Sequence, residues 1–420
     1  MNPFVAVEPL APAAAATMRR RAMFECCKWD PQIGDHAVLA PFALLLRDGE
    51  WERLAVLAAA LARETLAAER ELAQRPELHD RLSFARPLRK ALARAATHGA
   101  PPGCARLMRF DFHATNDGWR ISEVNSDVPG GMNEASGLAA LFAEAHPDAE
   151  SVGDVASAYA RALADGSGAS GGGAPIALVH ATAYSDDRQV MEYLAKRLAA
   201  LGVATCFASP AQLVWIDGRA ELLDGARRPR PLARVVRFFP GEWLPELPSR
   251  CGWPAFFGGA ATLQSNPATA LLTQDKRFPL CWDALATPLP TWRALLPETR
   301  DPRDVAWRGS PEWVVKPALG RVGEGVAIPG LIDATTQRQL ERAVRRAPQE
   351  FVVQRRFAAT PLRIDATDRY PCVGVYTIDE QVVGAYGRVA ARPWIDLHAA
   401  DAPVLKPRLR IGARAVAGGA

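Results

Sequence analysis

A chain of 420 residues is long enough for two or three domains with a sizeable core. Its net charge of +4 and pI near 8.7 are mild, and its only run of three basic residues is Arg19-Arg20-Arg21, which argues against nucleic acid as the main partner. No apolar run reaches the roughly 18 residues of a bilayer span, Met1-Asn2-Pro3-Phe4 lacks a signal peptide's pattern, and the seven cysteines form no Cys-x-x-Cys; the expectation is a soluble cytoplasmic protein, without membrane partner, disulfide framework or zinc ribbon.

In chain order, Met18 to Trp51 is irregular and carries no functional signal. Trp51 to Ala73 and Pro87 to His98 are rich in Ala, Leu, Arg and Glu with apolar residues three and four apart, which predicts two amphipathic helices. Leu107 to Asp127 follows, and the rest of the chain reads as arranged around it. Arg109, Asp111 and His113 alternate with Met108, Phe110 and Phe112, the period of a half-buried strand with one apolar and one chemical face. Asn116-Asp117-Gly118 is a turn signal, and a second alternating run extends from Trp119 to Asn125, completing a β-hairpin.

If Thr115 pairs with Trp119 across a three-residue loop, Asp111 lies opposite Glu123 and Arg109 opposite Asn125. Like charges opposed on a sheet repel, so either a cation sits between the carboxylates or the register differs. Two carboxylates and an amide oxygen suit a hard cation such as Mg²⁺. Any one of these residues alone is more often part of a solvated hairpin face; the four together point to a metal site.

Beyond the hairpin, Asp127 to Asn133 is a loop and Glu134 to Glu144 a helix with Asn133 as its N-cap. Residues 165–175 are the clear Gly/Ser linker. Ile176 to His180, a helix over Asp187 to Leu201, and Val203 to Ala208 read as a βαβ unit. A hairpin over Leu213 to Leu223 and a strand over Ala233 to Phe238 complete a Rossmann-like piece. Its first turn has no Gly-x-Gly-x-x-Gly, so dinucleotide binding is not expected. Its loops at Tyr184 to Arg188 and Phe238 to Trp243 are where acid specificity is expected, with Arg237 a candidate for a second carboxylate.

Asn266-Pro267 starts a helix carrying Lys276. A strand over Glu312 to Lys316 runs into Gly320-Arg321-Val322-Gly323-Glu324-Gly325 and then a strand over Val326 to Ile328; Phe351 to Gln354, Cys372 to Ile378 and Val382 to Tyr386 are further strands. A lysine ending an apolar strand before a glycine-rich loop suits phosphate, because the ammonium is a point charge and the glycines leave backbone N–H groups accessible. The loop is not a Walker A motif, and a glycine-rich hairpin is more often just a hairpin. Gln354 is a candidate to meet an adenine edge with its amide and adjacent backbone. Arg388, and less so Arg392, is a candidate for a transferring phosphoryl group.

Taken together, Arg109-Phe-Asp-Phe, Glu123-Val-Asn-Ser-Asp-Val-Pro, Leu272-Thr-Gln-Asp-Lys276 and Val315-Lys316-Pro-Ala-Leu-Gly-Arg-Val-Gly resemble the synthetase domain of the glutathionylspermidine synthase family of ATP-grasp carboxylate–amine ligases. The resemblance implies an α/β (α+β) ATP-grasp fold in circularly permuted order, with a helical region bearing the metal-binding hairpin over 1–165, a Rossmann-like pre-ATP-grasp substrate domain over 174–260 and a nucleotide-binding region over 261–420. It implies that Asp111, Glu123 and Asn125 hold Mg²⁺, that Arg109 contacts an acyl phosphate, that Lys276 and Lys316 bind ATP phosphates, and that Gly320, Gly323 and Gly325 belong to a phosphate lid, with Arg388 a further phosphate ligand. The function implied is amide formation from a small-molecule or peptide carboxylate and an amine. A degenerate ATP-grasp module that binds a nucleotide or peptide without turnover is the alternative, and a phosphotransferase stopping at a phosphate ester a third. Asp127-Val-Pro-Gly-Gly-Met-Asn-Glu134 departs from the family's usual pattern, so glutathione and spermidine do not follow as substrates.

Overall fold

A computed structural model describes residues 2–5, 7–29, 32–33, 36–99, 105–165, 173–320, 325–326 and 328–408. At its centre is a mostly antiparallel sheet in the order Phe4–Val5, Leu44–Leu46, Ala400–Pro407, Gln381–Ala390, Thr367–Ile378, Leu107–Thr115, Gly118–Asn125. The hairpin therefore stands at one edge, paired to Thr367–Ile378. Two helices, Glu50–Ala73 and Arg86–His98, cover the apolar side: Leu54, Leu61 and Leu88 share one core with Met108, Phe110 and Phe112, none of which exceeds 4% exposure. Each such side chain is worth about 1.5–3 kcal/mol in removal from water.

A second, parallel sheet of Leu263–Ser265, Arg234–Phe238, Ile176–His180 and Thr205–Ala208 carries the helix Ser185–Ala199. Its edge strand comes from beyond residue 260, so these strands run past the boundary set at that residue. Besides the pair Gln32–Ile33 and His36–Ala37 there are two three-stranded sheets: Leu213–Ile216, Arg219–Leu223 and Pro229–Pro231, and Thr299–Arg300, Phe351–Arg355 and Trp313–Pro317. The last packs with the helix Ala334–Arg346 around Trp307, Trp313 and Val353.

Local expectations differ from the structure at several points. The hairpin closes with Thr115 opposite Gly118, not Trp119, and Gly118 takes φ of +97° at the turn. A register shift after Asp111 leaves Ser122 as the extra residue, and this bulge returns Asp111 to Glu123 and Arg109 to Asn125. Asn133 is already helical, and its amide donates to the Cys26 carbonyl at 2.9 Å in place of capping. Val326 and Ile328 are not in a strand, so Trp313–Pro317 leads through the glycine-rich loop to the helix capped by Asp333. Lys276 lies past the short helix Leu271–Gln274, in the turn before the helical segment Phe278–Ala284, where its N–H bonds the Ala318 carbonyl. Gly323 and most of the Gly/Ser linker lie outside the described residues.

Candidate active site

On the polar face of the hairpin Arg109 and Asp111 are buried, 7% and 2% exposed, while His113, Glu123 and Asn125 are half-buried. Such groups persist inside a protein only when paired. Arg109 donates from Nε to Asp111 Oδ1 at 2.7 Å and from a terminal nitrogen to Oδ2 at 3.0 Å, while Asn125 and Arg388 reach the same Oδ2 at 3.3 and 3.5 Å. Glu123 is met by Lys276 at 3.0 Å. The opposed carboxylates are thus held by the protein's own cations, a solution the choice between a bound ion and a different register did not include. Burial alone would raise the Glu123 carboxyl, but the charges of Lys276 and Lys316 outweigh it and hold it down to about 2.

Gly374, opposite Asp111 on the next strand, makes room for this: a Cβ there would lie 2.6 Å from Arg109 Cδ. A glycine inside Cys372-Val-Gly-Val-Tyr is the sequence signal for such a close approach. Tyr376 and Tyr386 enclose Arg109 from the same sheet. The Arg109 guanidinium lies 5.5 Å from the Tyr386 ring centre, and both Arg109 and the Tyr376 hydroxyl donate to the Gly130 carbonyl. Gly131 takes φ of +89°, and an added Cβ would fall 2.8 Å from Tyr386 Cδ1 and 2.9 Å from the Tyr376 hydroxyl. Gly131→Ala is expected to cost about 2 kcal/mol or more, from overpacking and left-handed backbone together; urea unfolding of the variant at the wild-type midpoint would contradict this contact.

Two cavities meet at these residues. The first, an open cleft whose space of about 940 Å³ includes solvent at its mouth, is walled by Val314, Ile328, Phe357, Tyr370 and Trp394, with Lys276 and Lys316 in its lining. Lys316 Nζ donates to Gln354 Oε1 at 2.7 Å and to the Ser122 carbonyl at 3.2 Å. The Gln354 amide also donates to Thr299 Oγ1 at 2.9 Å, so its side chain holds Lys316 while the residue lines the cavity. Lys276 donates to the Gly320 carbonyl at 2.9 Å, tying the lysine to the start of the glycine-rich loop. Gly325 takes φ of +65°, and a Cβ added there would lie 2.7 Å from Pro317 Cγ. His113 and Cys372, not singled out in the sequence as site residues, also line this cavity; burial lowers the His113 imidazole to about 4.

The second, larger cavity is lined by eight carboxylates and three cations, Lys28, Arg109 and Arg388. Asn125, the Gly130-Gly131 backbone, and Asp186, Asp187 and Glu242 from the two loops assigned to acid specificity are in its wall. Those loops thus present carboxylates. Arg237, the candidate for a second substrate carboxylate, faces neither cavity; it is buried against Asp127 and donates to the Asn266 carbonyl at 3.1 Å. Arg392 is half-exposed beside Asp396. Glu123, Gly320 and Arg388 line both cavities and mark their junction.

The donor set opposite the lysines suits a hard cation in kind, with Glu123 and Asn125 on the cavity side and Asp111 behind them, both its oxygens on Arg109. Among the described residues no three His, Cys, Asp or Glu side chains converge as a metal site, and the Asn125 amide donates to Asp111 Oδ2 at 3.3 Å.

Comparison with known proteins comes to bear on this geometry. The family model described as glutathionylspermidine synthase preATP-grasp matches residues 34–397. No curated protein sequence matches the chain. Among solved structures, a glutathione synthetase-like effector from Globodera pallida in apo form is similar over 94% of this chain and 97% of its own, with 11% identity and a TM-score of 0.64. A putative gamma-glutamylcysteine synthetase from Methylobacillus flagellatus KT aligns over 82% and 88%, with 13% identity and a TM-score of 0.43. The first likeness shows a shared mixed α/β fold.

Proposed function

The chain belongs to the glutathionylspermidine synthase preATP-grasp family, and on that premise we propose that it is an ATP-dependent carboxylate–amine ligase acting through an acyl phosphate. The observation that carries this is the junction. An apolar cleft with two lysines in its lining opens, through Glu123, Gly320 and Arg388, into a cavity of opposite character lined by carboxylates. That arrangement suits a nucleoside triphosphate whose terminal phosphate meets an amine and a carboxylate on the far side.

In this reading the base lies between Ile328, Phe357 and Trp394, and Lys276 and Lys316 take the phosphate charge. Mg²⁺ would be held by Asp111, Glu123 and Asn125, supplying charge neutralisation on the phosphate oxygens. The substrate carboxylate attacks the γ-phosphorus and ADP leaves. The amine nitrogen then attacks the acyl carbon and, after loss of a proton, expels phosphate to leave the amide. Arg109 and Arg388 face the position where charge develops in both steps, and donors so placed are typically worth 10²- to 10³-fold each. The acidic wall suits the amine partner, which enters as a cation. The hairpin that would hold the metal precedes the lysines in the chain, the order of a circularly permuted ATP-grasp fold, with the parallel sheet as its pre-ATP-grasp part.

The test is a panel of small peptides, acids and amines with Mg²⁺-ATP, reading ADP release and product mass, with hydroxylamine added to trap the acyl phosphate as a hydroxamate. Hydroxamate and amide are expected. Nucleotide binding with neither product on any pair would leave the module without turnover, a reading to which the closure of Asp111 by Arg109 lends some support; a stable phosphate ester would point to the phosphotransferase.

Lys316 gives the site a pH dependence. Burial lowers its ammonium to about 8, against the pull of Glu123 and helped by the like charge of Lys276. Its charge is thus present below pH 8 and lost above it. ATP affinity measured by calorimetry without divalent ion is expected to fall up to about tenfold per pH unit above 8, and Lys316→Met to abolish that slope. Stability moves the other way: the unfolded lysine still holds its proton between pH 8 and its ordinary value, so the cost of burying the ammonium is relieved as pH rises there. A flat affinity profile from pH 7 to 9.5 would remove Lys316 from the phosphate site.

A further inference from the structure

Lys28 lies before the segment matched by the family model, in the stretch whose sequence carries no functional signal. Its side chain is 13% exposed, and its ammonium stands 2.5 Å from Glu134 Oε1 and 2.9 Å from Asp401 Oδ2. All three residues line the larger cavity. The two carboxylates are held differently. Asp401 accepts the Tyr386 hydroxyl, and Glu134, 6% exposed, lies on the helical turn after Asn133 with its second oxygen buried and unpartnered.

Two buried carboxylates closing on one primary ammonium, in the wall of an open cavity, are the means by which the charged end of an amine is held. Here the occupant is the chain's own side chain. We propose that Lys28 is a specificity-determining residue: a built-in ammonium that fills the Glu134–Asp401 site and keeps a second cationic group of the amine substrate out of that end of the cavity. A substrate with one ammonium is accommodated by the remaining acidic wall. A diamine long enough to reach Glu134 meets a like charge already seated there. The specificity rests on reading the larger cavity as the amine's; the occupied ammonium site does not.

Lys28→Ala tests both parts in the full-length protein. Its melting temperature is expected to drop by several degrees and to recover saturably with ethylammonium chloride, whereas tetramethylammonium, which has no N–H to donate, and ethylammonium on the wild type have no such effect. In amide formation, the ratio of kcat/KM for a linear diamine over the matching monoamine is expected to rise at least tenfold. If Lys28→Ala does not fold, Lys28→Ala/Glu134→Gln, which leaves one uncompensated carboxylate instead of two, serves for both measurements. Absence of saturable recovery, or an unchanged amine ratio, overturns the proposal. If no amine is turned over by either protein, the ligase reading falls and the ethylammonium measurement alone decides whether Lys28 occupies an ammonium site.

Discussion

Arg109→Ala is expected to lose about 3–5 kcal/mol of stability together with 10²- to 10³-fold in ligation rate, while ATP binding survives. The stability loss follows from Asp111. Its carboxylate is 2% exposed, and without the two-pronged contact at 2.7 and 3.0 Å it would keep only Asn125 and Arg388 at 3.3 and 3.5 Å. A buried charge stripped of its main partner is costly because water cannot reach it. ATP binding survives because the apolar cleft and both lysines lie on the other side of the junction. The two losses separate in Arg109→Ala/Asp111→Asn, where the orphaned charge is gone: urea unfolding should recover most of the stability, and hydroxamate formation should stay low. A single variant with wild-type stability would show that the pair is not the anchor described, and one with wild-type turnover would take Arg109 out of the chemistry.

Arg237→Ala is expected to be at least as destabilising, by about 3–5 kcal/mol, with no selective effect on any acid substrate. Arg237 and Asp127 are 0% and 1% exposed as a pair. The guanidinium also donates to the carbonyls of Asn266, Phe239 and Pro267, and Asp127 accepts the Gly241 N–H at 2.9 Å. One side chain thus ties the parallel sheet to the loop after the hairpin. Asp127→Asn, which keeps the shape and the acceptor oxygen, should cost less than Arg237→Ala. If Arg237→Ala were instead as stable as wild type and raised KM for the acid alone, the substrate role expected from its place at a strand end would be restored.

The hairpin, the helices at Glu50–Ala73 and Arg86–His98, the strands Thr367–Ile378 and Gln381–Ala390 and most of the parallel sheet are legible in the sequence, whereas Phe4–Val5, Leu44–Leu46 and Ala400–Pro407 of the central sheet are not. Period two and period 3.6 are written within a few neighbouring residues. The pairing of Asp111 with Glu123 was reached through a turn one residue too long, because the bulge at Ser122 has no local signature that the alternation reveals. Asn133 carries the chemistry of a cap and is used otherwise, since the helix begins before it and its amide finds carbonyls on other elements. The loop after Lys316 read as joining two strands because Val-Ala-Ile is a good strand sequence, whereas its described residues are not paired and a helix follows.

By itself, then, the sequence determined which short segments form and which residue types they present: carboxylates and an amide on one hairpin face, lysines after a strand and before glycines, and a family pattern joining them. Tertiary structure alone decided who meets whom. Arg388 reaches Asp111 across the sheet, Gln354 holds Lys316, Arg237 is spent on Asp127, and Lys28 arrives in the acidic cavity from the N-terminal stretch. The reason is that burial of apolar surface, which brings these elements together, is non-directional. It sets which faces pack, and only then can charges far apart in the chain find the partners that make their burial tolerable.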